Sequence, residues 1–289
     1  MAEISPALYR AGSGEPVVLL HGFTGTWHHW RPVLGELSAR YEVIAPTLAG
    51  HAGGPDLDIP EYATIASAAD HLETHLDELG VTTAHFVGNS MGGALSLELA
   101  KRGRARSVVA LSPGATWDPD GGEPERIANF FARTIRLTRS TIGHAPRIMA
   151  RPGARRLAFR DIMRHGELVS PADGVDLMRT SIECRIVDDV LRTIRAGRAH
   201  LDGLDQIESP TRVAWAEHDR ILPLALHAPR TRREIKDLDY VVLPKVGHVP
   251  MWDDSRLVVR TITEFVDRHL TGEPAGAGLS GPSLARTTV

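Results

Sequence analysis

Short apolar runs and helix-periodic segments alternate along most of this 289-residue chain, and that alternation restricts the fold more than any other feature. PVVLLHG (Pro16–Gly22) is a continuous apolar run, as a strand buried on both faces requires. WRPVLGELSAR (Trp30–Arg40) follows, with Val33, Leu34 and Leu37 at helical spacing. YEVIAPT (Tyr41–Thr47) reads as a strand, LAGHAGGP as a loop, and YATIASAADHLETHLDELG (Tyr62–Gly80) as a helix stopped by glycine. AHFVGN, MGGALSLELAKRG and SVVALSPGA (Ser107–Ala115) continue as strand, helix and strand. Between Trp117 and Asp205 the pattern changes to Arg-rich helical segments without clear strands, and RIANFFARTIRL sets Ile127, Phe130, Phe131 and Ile135 along one face. PTRVAWAEHD (Pro210–Asp219), LALHAPRTRREI, YVVLPKVGH (Tyr240–His248) and SRLVVRTITEFVDRHL (Ser255–Leu270) then restore the alternation. The pattern predicts an α/β fold with a mostly parallel sheet covered by helices on both faces. The expected organisation is a core built from 1–116 and 206–270, a helical insertion at 117–205, and a Gly-, Ser-, Pro- and Thr-rich tail at 271–289 that reads as disordered.

Composition narrows the function classes. With 42% hydrophobic residues the chain can bury a full core, and a net charge of -3 argues against a nucleic-acid partner. A single cysteine, Cys184, excludes an intrachain disulfide, and its helical context (SIECRIVDDV) reads as a small buried side chain. The start lacks a charged segment followed by an apolar one, and no stretch is long and apolar enough to cross a bilayer. The expectation is therefore a cytoplasmic protein without stable membrane insertion. The inserted block carries Asp and Glu in numbers similar to its arginines, which reads as a surface laced with salt bridges.

The seam between AHFVGN and the following helix holds Gly88-Asn89-Ser90-Met91-Gly92. In parallel sheets reactive groups gather at the carboxyl ends of strands. A serine in a sharp turn there needs glycines two positions to either side, because the turn leaves no room for their side chains. It also places the hydroxyl beside a helix N-terminus, where amides can stabilise an oxyanion. A hydroxyl is a poor nucleophile near neutral pH and needs a base, itself oriented by a third group. Among 14 histidines, His248 closes the last strand pattern, and Asp219 closes the preceding one. The chain order Ser90, Asp219, His248 suits this architecture.

At these residues the sequence resembles the α/β-hydrolase fold family, over about Glu15 to Leu270. The resemblance rests on HGFTG (His21–Gly25), GNSMGG (Gly88–Gly93), AEHDRILP (Ala216–Pro223) and VGHVP (Val246–Pro250). It implies Ser90 as nucleophile, His248 as general base, Asp219 as the orienting acid, and backbone amides of Phe23 and Met91 as oxyanion donors. It also implies a cap after the sixth strand, matching 117–205, and no metal or cofactor. Asp202, Asp205 and Glu217 are alternative acids by proximity in sequence. Asp118 is another, since some relatives carry the acid there. One departure is the loop Thr47-Leu48-Ala49-Gly50-His51-Ala52-Gly53, which lacks the leading acid of an Asp-x-x-Gly-His-Gly pattern.

The expected reaction is hydrolysis of a small-molecule carboxylic ester, with an apolar cover formed by Trp117, Phe130, Phe131, Met149 and Met178. Carbon–carbon bond hydrolysis and perhydrolysis use the same triad. Epoxide hydrolases and haloalkane dehalogenases use an elbow aspartate where this chain has Ser90. A ligand-binding protein without turnover and a membrane-surface lipase are the readings from other classes. His21 is expected to shape the oxyanion loop, and His28 and His29 to line the pocket or cover the core edge. His71 and His75 flank Glu73 in an H-x-E-x-H that departs from the zinc pattern and reads as a solvated helix face.

Overall fold

The computed structural model describes residues 2–57, 63–117 and 122–270. Among the described residues, eight strands form one sheet: β1 (Glu3–Ile4), β2 (Leu8–Ala11), β3 (Pro16–Leu20), β4 (Glu42–Pro46), β5 (Ala84–Asn89), β6 (Ala105–Leu111), β7 (Thr211–Ala216) and β8 (Asp239–Leu243). Their spatial order is β1-β2-β4-β3-β5-β6-β7-β8. From β4 through β8 every neighbouring pair is parallel, and β1 and β2 close one edge antiparallel. Helices α1 (Arg31–Ser38), α2 (Ile65–Glu78) and α3 (Met91–Lys101) connect the first half of the parallel sheet. Five more lie between β6 and β7: α4 (Glu123–Thr141), α5 (Ala145–Met149), α6 (Pro152–Phe159), α7 (Pro171–Ile182) and α8 (Val187–Arg195). The chain ends in α9 (Leu224–Glu234) and α10 (Ser255–Val266).

Alternate side chains of each central strand serve opposite cores, as the two-residue strand period demands. Val18, Leu20, Phe86 and Val108 pack on the face that holds residues of α2 and α3. Val17, Leu19, Val87 and Val109 pack on the face that holds residues of α1 and α10. Both faces of β5 are fully buried, which is why its sequence shows no alternation.

The edge strands β1 and β2 went unread in the sequence, because two and four residues beside Gly12 and Gly14 give too short a pattern. The last strand stops at Leu243, so His248 stands on a loop beyond it. The expected disorder of 271–289 and the candidate Asp118 fall outside the described residues.

Candidate active site

Ser90 has φ +57° and ψ -117°, between the end of β5 and the first residue of α3. A serine in this region costs about 1–3 kcal/mol and persists only where its surroundings impose it. They do so here. The Ser90 amide donates to Leu111 O at 3.0 Å, and its carbonyl accepts from Gly114 N at 2.9 Å and Ala94 N at 3.0 Å. The flanking glycines allow the close approach. A Cβ on Gly88 would lie 2.0 Å from Gly92 O, and one on Gly92 would lie 2.1 Å from Leu20 O on β3. Thr24, Ser112 and Ala115, on the loops after β3 and β6, also have positive φ. Strain is thus concentrated at the carboxyl ends of the central strands.

His248 Nδ1 lies 2.6 Å from Asp219 Oδ2, and both side chains are buried. The other oxygen of Asp219 accepts from the amides of Ile221 (2.9 Å) and Leu222 (2.7 Å), so the carboxylate is fixed before it meets the imidazole. Nδ1 therefore carries the donated proton, and Nε2 has no protein partner among the described residues. Nε2 and the Ser90 hydroxyl are not hydrogen-bonded to each other, although both residues line one cavity. Such contacts are often long in free enzymes and tighten with substrate. The alternative acids lie elsewhere: Glu217 accepts from Lys245 N at 2.7 Å, and Asp202 and Asp205 are exposed.

Two residues that the sequence gave no reason to single out hold the His248 loop. Asn89, fully buried, donates through Nδ2 to His248 O (2.8 Å) and Leu111 O (3.1 Å). Asp253 accepts from the amides of Gly247 (2.7 Å), Arg164 (2.9 Å) and His165 (2.7 Å), tying that loop to the segment after α6. The available signal for Asn89 was its place directly before Ser90; for Asp253 there was none.

His21 shapes the loop after β3 as expected. Its Nδ1–H donates to Gly22 O (2.8 Å), and Nε2 accepts from Leu48 N (2.9 Å). His51 meets it edge-on with centroids 4.9 Å apart, and His29 lies on the other side at 6.4 Å. Burial, reinforced by the neighbouring imidazoles, pushes His21 well below its ordinary value. Burial likewise takes His29 and His51 each down to about 4. All three are neutral at pH 7. His28 instead pairs with Asp176 on α7 at 2.6 Å. Cys184 is buried and its thiol is pushed up to about 12, which leaves it unreactive.

Two cavities meet at Ser90. The first, about 290 Å³, is bounded by Met91, Leu95, Trp117, Ile127 and Ile194. The second, about 830 Å³, is bounded by His29, Phe130, Met178 and His248. Phe23, Ser90, Phe131 and Ile221 line both. The Phe131 ring packs edge-on against Phe23 at 5.0 Å and forms part of the partition. Of the five expected cover residues, Trp117, Phe130, Phe131 and Met178 reach a cavity. Met149 does not: it is fully buried with its sulfur against Gly174, joining α5 to α7. His71 is exposed and His75 partly so, as the reading of a solvated face expects; both also border the smaller cavity, and Glu73 turns away to Arg102 and Arg104. Among the described residues no cluster of three His, Cys, Asp or Glu side chains is placed to hold a metal.

Residues 17–261 match the model of the alpha/beta hydrolase family. A Mycobacterium tuberculosis protein named Epoxide hydrolase EphH is 34% identical over 70% of this chain and 94% of its own length. A Pseudomonas putida 2-hydroxy-6-oxo-2,4-heptadienoate hydrolase is 27% identical over 91% of this chain and 93% of its own length. The structure of a thermophilic esterase from Thermogutta terrifontis superposes with a TM-score of 0.67 at 23% identity, covering 94% of this chain and all of the other (100%). The chain belongs to the alpha/beta hydrolase family.

Two predictions follow from these contacts. Gly92→Ala should lower stability by about 3 kcal/mol in urea titrations, because its Cβ meets the backbone of β3 rather than a yielding side chain. For His29 and His51, the unfolded chain binds more protons than the folded one between pH 6.5 and about 4. Their contribution is intact above pH 6.5 and falls with pH through that window, by roughly 3 kcal/mol for each. Melting temperature should therefore drop from pH 7 to 5, and His29→Gln should flatten that slope.

Proposed function

We propose that the protein is a serine hydrolase that cleaves a carboxylic ester of a small, largely apolar substrate through an acyl-enzyme on Ser90. The observation that carries this reading is the 2.6 Å His248–Asp219 contact, which leaves Nε2 without a partner on a residue that borders the cavity Ser90 lines. In the proposed route Ser90 Oγ attacks the ester carbonyl as its proton passes to Nε2. The oxyanion is held by the amides of Phe23 and Met91. Met91 begins α3, where a helix's first amides have no partner within the helix. The imidazolium, stabilised by Asp219, then gives its proton to the departing alkoxide. Water, deprotonated by Nε2, attacks the acyl-serine; the bond to Ser90 Oγ breaks, the imidazolium returns the proton to that oxygen, and the acid is released.

The two cavities suggest how the substrate lies. His248 borders only the larger one and Met91 only the smaller. The leaving oxygen must approach Nε2, so the alcohol belongs in the larger cavity and the acyl group in the smaller one. Trp117, Phe131 and Ile127 would then contact the acyl chain.

Carbon–carbon bond hydrolysis is the second reading, favoured by the likeness to the Pseudomonas hydrolase over nearly the whole chain. It uses the same nucleophile and base on a ring-opened diketone. Epoxide opening through an aspartyl ester is disfavoured, because Ser90 holds the elbow.

A fluorophosphonate probe should label Ser90 alone, and Ser90→Ala should lose both the label and at least about 10^4 in kcat. Across a panel of soluble esters, each added acyl methylene should raise kcat/KM about fourfold until the smaller cavity is full. Turnover of ring-opened diketones with no turnover of esters would replace this reading with the second.

A further inference from the structure

We propose that the mouth of the larger cavity is a docking surface for an anionic lipid bilayer. Between Arg126 and Arg160 the chain carries nine arginines and neither lysine, aspartate nor glutamate, in a protein whose net charge is -3. The acids of the inserted block lie before and after this stretch in sequence, and three of them reach it: Glu123 pairs with Arg126, Glu167 with Arg156 and Asp161 with Arg160. The expected salt-bridge-laced surface is thus only partly present here. Among the described residues Arg133, Arg136, Arg139, Arg147 and Arg151 make no ion pair. Arg126 pairs with Glu123 beside it, and Arg155 is buried and donates to the carbonyls of Met149 and Glu167.

The same helices expose large apolar groups at the same place. Leu137 on α4 is 62% exposed and Leu157 on α6 is 63% exposed, and both border the larger cavity with Arg133, Arg136 and Arg160. Ile148 and Ala154 border it between them. One opening is thus bordered by the unpaired Arg133 and Arg136, the solvent-facing Leu137 and Leu157, and the Arg160–Asp161 pair. A small anionic ligand would need two or three arginines converging inside the cavity, not five unpaired ones spread from α4 to the start of α6. An acidic protein would satisfy the arginines but gives no particular use to two isolated exposed leucines. A bilayer uses both: leucines enter the headgroup boundary while arginines meet anionic lipid phosphates. No described helix is long and apolar enough to cross a membrane, so the contact is peripheral. It sets the cavity that holds Ser90 and His248 against the lipid, whichever bond the site cleaves.

The test is co-sedimentation of the full chain with phosphatidylcholine vesicles, with and without about one third phosphatidylglycerol. The anionic vesicles should retain the protein and the neutral ones should not, and retention should fall as salt rises. Arg139 and Arg147 lie on α4 and α5 and Arg151 directly before α6, all outside the cavity lining. Replacing all three by Gln should reduce the partition coefficient about fivefold for each arginine removed. Turnover of a soluble substrate by that variant should be unchanged, which also shows that it is folded. Leu137→Ser with Leu157→Ser should weaken retention with the arginines intact. Equal binding to neutral vesicles, retention unaffected by the triple variant, or binding to an acidic protein or heparin with no binding to anionic vesicles would each overturn the proposal.

Discussion

The backbone at Ser90 is the constraint on which the rest of the site depends. A residue with φ +57° between a buried strand and a buried helix cannot relax by itself, and its carbonyl and amide are held by three backbone hydrogen bonds. That hold works only because β5, α3 and β3 approach one another through Gly88 and Gly92, nearer than any side chain would permit. The conformation sets three things together. It aims the hydroxyl away from the sheet, leaves the Met91 amide at the start of α3, and puts Asn89 where its side chain can hold the carbonyl of His248. The cost of strain, about 1–3 kcal/mol, is small beside the burial of the surrounding strands and helix.

Around that turn burial keeps the histidines of the loop after β3 and its neighbours neutral. Three neutral histidines pack below the loop after β3, where a protonated imidazole would leave a charge without a carboxylate. Asp219, by contrast, is given three donors: two amides and His248. This asymmetry sets His248, held by a carboxylate, apart from His21, His29 and His51, which burial keeps neutral. Asp253 extends the arrangement outward, since one carboxylate holds both the His248 loop and the segment following α6.

Much of this was legible in the residues themselves. Strand ends mark where chemistry can gather in a parallel sheet, so Ser90, Asp219 and His248 could be chosen from position alone. The glycines around Ser90 had a steric meaning that the distances bear out. What escaped the sequence was whatever depends on contacts between distant segments. Asn89 and Asp253 look like ordinary polar residues until their partners are known. Met149 looked like a pocket wall, and its sulfur instead fills the space over Gly174, a contact no local pattern encodes. The arginines of α4 to α6 were read only in part, because composition counts charges without saying which of them find a partner. That the exposed face of His71 and His75 also borders a cavity is something helical periodicity cannot say.

The central claim is that Ser90 Oγ becomes acylated while the amides of Phe23 and Met91 hold the developing oxyanion. A crystal structure of the protein after reaction with a phosphonate ester would test it most directly. The account predicts phosphorus bonded to Ser90 Oγ, with its phosphoryl oxygen about 2.7–3.1 Å from both amides. It also predicts the remaining alkoxy group on the His248 side of Phe131. Phosphorus on another residue, or a phosphoryl oxygen turned away from the two amides, would contradict it.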